Sequence, residues 1–329
     1  MSRSERDRIR SVASPNNQSM EQSSEDEGLV RFVGSVRDDF GYGSRRPETI
    51  AEYTGGRIRK VRNAMDGQSS LSWDLKTLSP FGALVTSSES NTQLDSISKE
   101  EILNLVETHR VVVFRGFAPL EGSRLPEYCR TLGTPLEWDF GVVNQLQSSP
   151  DARNYLYTNR EVPFHWDGAF AGLVPYYIFF HCDVAPSPGA GGETLFTDTT
   201  LMLDDADAGT KAKWSSTNIT YTTEKIVHYG GQFTSPMICR TESRNEEVLR
   251  FAEPVTDLNP VELTIDGIDE AERSDFLDDM HRRLNDERFC YRHEWQSGDI
   301  VIADNLVLLH GRAAFSADSE RLIRRVNIL

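Results

Sequence analysis

Two stretches of sequence decide the fold class of this chain: GDIVIADNLVLLH at residues 298–310 and RLIRRVNIL at residues 321–329. Both are short and rich in β-branched or other apolar residues, which is typical of buried strands, and we interpret each run as one strand. Similar runs, separated by Pro, Gly, Asn and Asp, are RVVVFRGF (110–117), PYYIFFHCDVA (175–185), GGETLFTD (191–198), NITYTTEKIV (218–227) and EVLRFAEP (247–254). Many short strands between turns favour a sandwich or barrel over a parallel sheet. We therefore predict a mainly β fold with flanking helices.

Three segments have the pattern of helices. In SKEEILNLVETH, residues 98–109, Ser98 and Glu101 have the spacing of a capping box, and apolar residues follow. A second helix is predicted around residues 123–132. A third is predicted at roughly residues 268–285, where one face carries Phe276, Leu277, Met280 and Leu284.

The N-terminal part of the chain differs from the rest in composition. Residues 1–28 are rich in Ser, Glu, Asn and Arg and have almost no aromatic residue. Such a segment cannot bury enough apolar surface to offset chain entropy, so we predict a disordered tail. Residues 29–74 are mixed, with Gly- and Arg-rich stretches, and are predicted to form an arm on the core. The globular domain is predicted to span residues 75–329.

Composition limits the partners and the compartment. The 35 Lys and Arg residues against 51 Asp and Glu residues give a net charge of −16, without the basic footprint of a nucleic-acid or anionic-membrane binder. No apolar run approaches the roughly 18 residues of a membrane span, and the first residues lack the apolar region of a secretory signal. The four cysteines have no CxxC spacing and are interpreted as reduced thiols, so we expect a cytoplasmic protein. A small-molecule substrate is expected, and a homo-oligomer is compatible with the sequence.

Three residues have the chemistry of a metal site. In VPFHWDGAF, residues 162–170, His165 and Asp167 are two apart and project to the same side of a strand or of the turn after it. His310 follows much later, at the end of an apolar run. Two imidazoles and one carboxylate on one face of a metal leave the other face open, which suits Fe(II) with a bidentate co-substrate and O₂.

A second histidine and aspartate with the same spacing occur in His181-Cys182-Asp183. This copy lies inside a continuous apolar run, so we interpret it as a core histidine beside an aspartate at a strand end. The HxD spacing is therefore not specific by itself, and the metal hypothesis depends on the residues that accompany it.

Two arginines near the C-terminus indicate an anionic ligand. Arg321, Ile323 and Arg325 alternate along one strand and point the same way. A buried arginine is costly unless an anion meets it, and a carboxylate fits its planar fork. In GGETLFTD, Thr194 can donate its hydroxyl to the same carboxylate as Arg321. The alternatives are structural ion pairs for the arginines and an ordinary strand threonine.

The set HWD, GGET and LHGR, with arginines 11 and 15 residues after the last histidine, resembles the TauD/TfdA family of 2-oxoglutarate-dependent dioxygenases. The resemblance covers about residues 75–329 and implies a double-stranded β-helix (jelly roll) with the site in its mouth. It also implies roles for the residues above. His165, Asp167 and His310 match the Fe(II) ligands, Thr194 and Arg321 match the residues that bind the distal carboxylate of 2-oxoglutarate, and Arg325 matches an arginine that in some members holds an anionic substrate group.

Within the family, PLEWDFGVVNQL (135–146), HWDGAF (165–170) and ADNLVLLHGRAAF (303–315) are similar to the oxygenases that act beside isonitrile synthases, the PvcB-like group. This likeness implies oxidation of a small, carboxylate-bearing isonitrile derived from an aromatic amino acid, in secondary metabolism. The reaction would be hydroxylation, or oxidative desaturation or decarboxylation, with Fe(II), 2-oxoglutarate and O₂. Glu161 departs from the family pattern. A carboxylate at this position is expected to repel a taurine-like sulfonate, which argues against a substrate of that kind.

Other functions are compatible with these residues. They are a TauD/TfdA-type hydroxylase of another small organic acid, a cupin-like dioxygenase that needs no 2-oxoglutarate, and a non-catalytic jelly-roll binding protein. Candidate aromatic walls of a substrate cavity are Trp166, Phe170, Tyr176 and Tyr177, with core packing as the alternative for each.

Overall fold

The computed structural model describes residues 30–32, 49–54, 57–63 and 73–329, except residues 90, 139, 140, 227 and 228. The predicted disordered tail, residues 1–28, lies outside the described residues, and the predicted arm is described only in part. The strands are β1 (Val30–Phe32), β2 (Thr49–Thr54), β3 (Arg57–Asn63), β4 (Trp73–Thr77), β5 (Ala83–Ser87), β6 (Val111–Arg115), β7 (Asn144–Gln147), β8 (Val162–His165), β9 (Tyr177–Val184), β10 (Thr194–Asp198), β11 (Asn218–Ile226), β12 (Tyr229–Pro236), β13 (Ile238–Arg240), β14 (Glu247–Leu249), β15 (Val261–Ile265), β16 (Cys290–His293), β17 (Ile300–Asp304), β18 (Leu308–Arg312) and β19 (Leu322–Ile328). The helices are α1 (Lys99–His109), α2 (Arg124–Leu132), α3 (Thr199–Asp205), α4 (Ala208–Ser215) and α5 (Glu270–Leu284).

Two sheets carry the architecture. The larger has the order β1-β2-β3-β4-β5-β6-β17-β9-β19-β7, and the smaller has the order β16-β10-β18-β8. Neighbouring strands pair antiparallel, apart from the parallel pair β5 and β6. From β7 to β10 and again from β16 to β19, successive strands belong to the two sheets in turn. This alternation is the double-stranded β-helix, so the predicted fold class is confirmed.

The central strands of the larger sheet are buried on both faces. In β9, Ile178 and Phe180 face the apolar layer between the two sheets, where Phe196 of β10 also packs. Phe179, between them, packs instead in the layer that includes residues of α1 and α2. Because successive side chains of a strand point to opposite faces, a strand covered on both sides becomes a continuous apolar run. A third apolar layer on the other side of the smaller sheet joins it to β11, β15 and the helices α3 to α5.

The predicted helices are present. The side chain of Ser98 accepts a hydrogen bond from the Glu101 amide at 3.1 Å and so caps α1. The helix α5 buries Phe276, Met280 and Leu284. The short helices α3 and α4 were not predicted, although aspartates cap both of them. Within the part of the chain that the structure describes, none of the helices has the length and apolar character that crossing a membrane requires.

The interpretation of residues 298–310 as one strand is wrong. The run forms two strands, β17 in the larger sheet and β18 in the smaller one. The break is a turn at residues 305–307, directly after Asp304, whose carboxylate accepts a hydrogen bond from the Leu306 amide at 3.0 Å. His310 therefore lies inside β18 rather than after a strand.

Candidate active site

The three predicted metal ligands meet at one point. His165 ends β8 and is the register partner of His310 on β18, while Asp167 follows two residues after His165. Their ligand atoms all lie within 4.8 Å of one another. The Nε2 atoms of His165 and His310 are 3.6 Å and 3.8 Å from Oδ1 of Asp167. Side chains from residues far apart in the sequence therefore form a compact set of two imidazoles and one carboxylate.

The state of the two imidazoles fits a bound metal ion. Both ring nitrogens of His310 are buried and have no hydrogen-bond partner among the described residues. Burial, together with the nearby His165, lowers the pKa of His310 to about 3, so the ring is neutral and keeps a lone pair. Nδ1 of His165 lies 2.8 Å from the carbonyl oxygen of Pro163. Because a carbonyl only accepts, Nδ1 carries the proton and Nε2 is free to bind a metal.

Asp167 is held by Asn305 and Asn327, which the sequence did not identify, and by Arg325, which it did. Asn305 accepts a hydrogen bond from the Asp167 amide at 2.9 Å and donates to its carbonyl oxygen at 3.0 Å. The side-chain amide of Asn327 donates to Oδ2 at 2.7 Å, and Arg325 donates to Oδ1 at 3.0 Å. Burial opposes ionisation, but Arg325 and the two imidazoles hold the pKa of Asp167 well below its usual range. The carboxylate is thus kept as an anion in one orientation.

Arg321 is a buried cation without a carboxylate partner among the described residues. Its Nε donates to the carbonyl oxygen of Gly192 at 3.1 Å, and Nη2 donates to Oγ1 of Thr194 at 3.4 Å. Its Nη1 is buried and unpartnered in the same part of the chain. Burial, with the nearby Arg312, lowers the pKa of Arg321 to about 9. A site of this kind favours an anionic ligand.

Trp295 orients the Thr194 hydroxyl. The indole Nε1 of Trp295 donates to Oγ1 of Thr194 at 3.0 Å, and Arg321 donates to the same oxygen. With its oxygen accepting both bonds, the hydroxyl of Thr194 can direct its own proton to a ligand. The sequence did not identify Trp295, because its neighbours carry no signal that links it to a threonine far away in the chain.

Arg321 and Arg325 line one narrow cavity with Thr194, His165 and His310. The expected common direction of the two arginines is therefore present. The two arginines have different partners. Arg325, unlike Arg321, forms an ion pair with a carboxylate, that of Asp167. The buried Nε of Arg325 has no partner among the described residues.

The second histidine–aspartate copy is structural. The ring of His181 is buried, and its Nε2 accepts a hydrogen bond from the Leu120 amide at 3.2 Å. Arg324 donates to both oxygens of Asp183, at 2.6 Å and 2.7 Å. This arrangement agrees with the interpretation of His181 as a core histidine.

A larger cavity of about 360 Å³ opens beside the ligand set. Its wall includes His165, Asp167 and Arg325. The aromatic residues that line it are Trp138, Tyr155, Tyr157, Trp166 and Phe170. Trp166 and Phe170 were among the expected wall residues. The other two are elsewhere, since Tyr176 is largely exposed and the Tyr177 hydroxyl donates to Glu107 at 3.0 Å.

Glu161 does not face this cavity. It is exposed and lines a different cavity, beside Phe251 and Leu277. The charge argument against a sulfonate substrate that was based on Glu161 therefore has no support in the geometry.

Comparisons with known proteins agree with this geometry. Residues 74–327 match the family described as "Taurine catabolism dioxygenase TauD, TfdA family". The chain is 41% identical over 266 residues to the 3-((Z)-2-isocyanoethenyl)-1H-indole synthase of Fischerella ambigua, covering 80% of this chain and 97% of that protein. It is 34% identical over 254 residues to the tyrosine isonitrile desaturase of Pseudomonas aeruginosa, covering 75% and 87%. The solved structure of PvcB, described as an Fe, alpha-ketoglutarate dependent oxygenase from an isonitrile synthetic pathway, superposes with a TM-score of 0.67 at 31% identity, covering 80% and 94%. With the fold, the ligand set and these matches in agreement, the chain belongs to the TauD/TfdA family of dioxygenases.

Proposed function

We propose that this chain is an Fe(II)- and 2-oxoglutarate-dependent oxygenase that oxidises a small, carboxylate-bearing isonitrile derived from an aromatic amino acid. The observation that carries the proposal is one narrow cavity that is lined both by His165 and His310 and by Arg321, which pairs with no carboxylate of the described residues. A metal site and a carboxylate site that share one cavity match the two ends of a 2-oxo diacid.

His165, Asp167 and His310 would hold the iron. When bound, iron couples the decarboxylation of 2-oxoglutarate by O₂ to the oxidation of a substrate C–H bond. The protein's own contribution is orientation. The Pro163 carbonyl sets the tautomer of His165. Asn327 and Arg325 each hold one oxygen of the aspartate, so that the ligand set is arranged before the ion arrives.

Arg321 and Thr194 would bind the far carboxylate of 2-oxoglutarate. Nη1 of Arg321, which has no hydrogen-bond partner in the described part of the chain, and the oriented hydroxyl of Thr194 offer two neighbouring donors in the narrow cavity. Charge-assisted hydrogen bonds to these donors would set the distance of the keto acid end from the histidines. The two imidazoles line the same cavity, which is the arrangement that this role requires.

The substrate would occupy the larger cavity. Its volume of about 360 Å³ and its aromatic walls suit a small aromatic molecule. One relative is named for an indole product and another for tyrosine isonitrile, and both names describe aromatic isonitriles. Nε of Arg325 has no hydrogen-bond partner within the part of the chain that the structure describes, which supports its role as the donor to the substrate carboxylate. Trp166 is a rigid wall, because the Arg250 guanidinium stacks on its ring at 5.6 Å.

The mass of the product distinguishes hydroxylation of the substrate from its desaturation. Hydroxylation adds one oxygen to the substrate, whereas desaturation removes two hydrogens and releases water, with or without loss of the substrate carboxylate as CO₂. In each case one O₂ is consumed, and one 2-oxoglutarate gives succinate and CO₂. We further propose that the enzyme acts in the cytoplasm, which is supported by four free cysteines, three of them buried.

The experiment measures succinate release and product mass after reconstitution with Fe(II). The substrates are the isonitriles of tyrosine and tryptophan, the parent amino acids, and simple aryl acids. We expect succinate formation to depend on an aromatic isonitrile and to be lost in His310→Ala. His281→Ala is the matched control, because this histidine is exposed and lies outside the ligand set. Succinate release that responds only to another acid would overturn the substrate class. Oxygen consumption without 2-oxoglutarate would overturn the mechanism.

A further inference from the structure

Arg312 is a buried arginine for which the proposed function has no role. It lies on β18, two residues after His310, and pairs in register with Thr194 on β10. Its side chain forms no ion pair with a carboxylate among the residues described in the structure. A buried guanidinium is costly, so its three neutral acceptors and its position need an explanation.

The acceptors of Arg312 are three backbone carbonyls of one segment. Nη1 donates to the carbonyl oxygen of Leu156 at 3.0 Å, and Nη2 donates to that of Thr158 at 2.7 Å and to that of Arg160. The guanidinium also lies over the ring of Phe315, 5.3 Å from its centroid. A planar fork with donors on separate nitrogens can span such a set of carbonyls, whereas the three donors of a lysine all lie on one nitrogen.

The segment that Arg312 holds is a wall of the substrate cavity. Tyr155, Leu156 and Tyr157 all line the cavity of about 360 Å³ beside the ligand set. Leu156 also lines the narrow cavity that contains Arg321 and Thr194. The segment therefore contacts both cavities.

Arg312 itself also lines the narrow cavity, together with Arg321. Nε of Arg312 and Nη1 of Arg321 are both buried without a hydrogen-bond partner among the described residues. Two unneutralised positive charges near one cavity repel each other, and an anion between them relieves that repulsion.

We propose that Arg312 is a positioning residue that couples the diacid pocket to the wall of the substrate cavity. It adds a second positive charge behind the carboxylate that Arg321 binds, and it holds the segment of residues 156–160 through its carbonyls. The inference rests on the proposed function, in which the diacid is 2-oxoglutarate. Because coupling is reciprocal, 2-oxoglutarate binding stabilises the wall, and an ordered wall favours 2-oxoglutarate.

Hydrogen exchange of the metal-loaded wild-type protein tests the coupling without any variant. Mn²⁺ serves as the metal, so that no turnover occurs, and exchange of peptides that cover residues 155–160 is measured with and without saturating 2-oxoglutarate. We expect exchange in this segment to slow by roughly fivefold or more, because coupling free energies of this kind are about 1 kcal/mol or larger. An unchanged exchange rate at saturation would overturn the proposal.

Two variants separate the charge of Arg312 from its shape. Arg312→Lys keeps the charge but should lose the exchange response of the segment, because its three donors lie on one nitrogen and do not span the carbonyls as the planar fork does. By reciprocity its 2-oxoglutarate affinity should fall by the coupling factor, roughly fivefold. Arg312→Gln should lose that response and the attraction of the charge as well, so that 2-oxoglutarate binding weakens by roughly a further tenfold. Arg240→Gln, at an exposed arginine that pairs with Glu247, is the matched control.

The outcomes distinguish this inference from the proposed function. If the wild-type protein does not bind 2-oxoglutarate at all, the proposed function and the coupling both fail. If it binds, but both Arg312 variants keep the wild-type affinity and exchange response, the coupling alone is refuted.

Discussion

Replacing Arg321 with alanine should weaken 2-oxoglutarate binding and leave the fold intact. The guanidinium donates to the Gly192 carbonyl and to Thr194, while Nη1 has no partner among the described residues and is free for a ligand. A hydrogen bond to a charged group contributes about 1.5–3 kcal/mol. Since about 1.4 kcal/mol corresponds to a tenfold change in affinity, Kd for 2-oxoglutarate should rise by roughly 10- to 150-fold.

The same change should not destabilise the ligand-free protein. No described carboxylate pairs with Arg321, so its removal leaves no unpaired buried anion. The relieved desolvation of a cation offsets the loss of the hydrogen bond to the Gly192 carbonyl. The thermal unfolding midpoint of the metal-loaded, ligand-free variant should therefore stay close to the wild-type value. The stabilisation that saturating 2-oxoglutarate gives the wild-type protein should be largely lost.

The assay is an anaerobic titration of the Fe(II)-loaded protein with 2-oxoglutarate, followed by the visible absorption of the chelate and by calorimetry. Thr194→Val, which removes one hydroxyl donor, should show a smaller loss in the same direction. Arg240→Ala, at an exposed arginine, should bind as the wild type does. If Arg321→Ala keeps wild-type affinity while its metal content is normal, the assignment of this arginine is refuted.

Three further changes test the ligand set and the core. His310→Ala should lose stoichiometric Fe(II), because two remaining ligands hold the ion poorly, whereas the exposed His281→Ala should retain it; metal analysis after reconstitution decides. Asn327→Ala should weaken Mn²⁺ binding by roughly 10- to 100-fold, measured by titration, because the aspartate ligand loses its 2.7 Å hydrogen bond; unchanged affinity would count against this role. Asp299→Asn should lower the free energy of unfolding by about 3 kcal/mol, measured with urea, because it breaks the buried two-point contact with Arg115. Burial raises the pKa of Asp299, but Arg115 and further hydrogen bonds leave this pKa below its ordinary value. The stability that the pair gives the wild-type protein should therefore be complete above the ordinary aspartate pKa and be lost as the pH falls towards the lower folded-state pKa. A stability difference between wild type and variant that does not change with pH would contradict this.

The sequence by itself determined most of the secondary structure and the identity of the candidate ligands. Strands covered on both faces, such as β9, are continuous apolar runs, and the cap of α1 is formed by residues three apart, so both leave a local pattern. His165 and Asp167 are also neighbours in the sequence, and His310 was found through its resemblance to a family motif. The roles of these residues as ligands, and those of Thr194, Arg321 and Arg325, stay predictions that the experiments above test.

Only the tertiary structure decided which side chains support that set. Asn327 reaches Asp167 across 160 residues, Trp295 reaches Thr194 across 101, and Arg312 reaches the carbonyl of Leu156 across 156. The break within residues 298–310, which sends β17 and β18 to different sheets, was likewise missed. The physical reason is that local alternation determines which face of a strand a side chain occupies, whereas the register and packing of two sheets determine what lies opposite it.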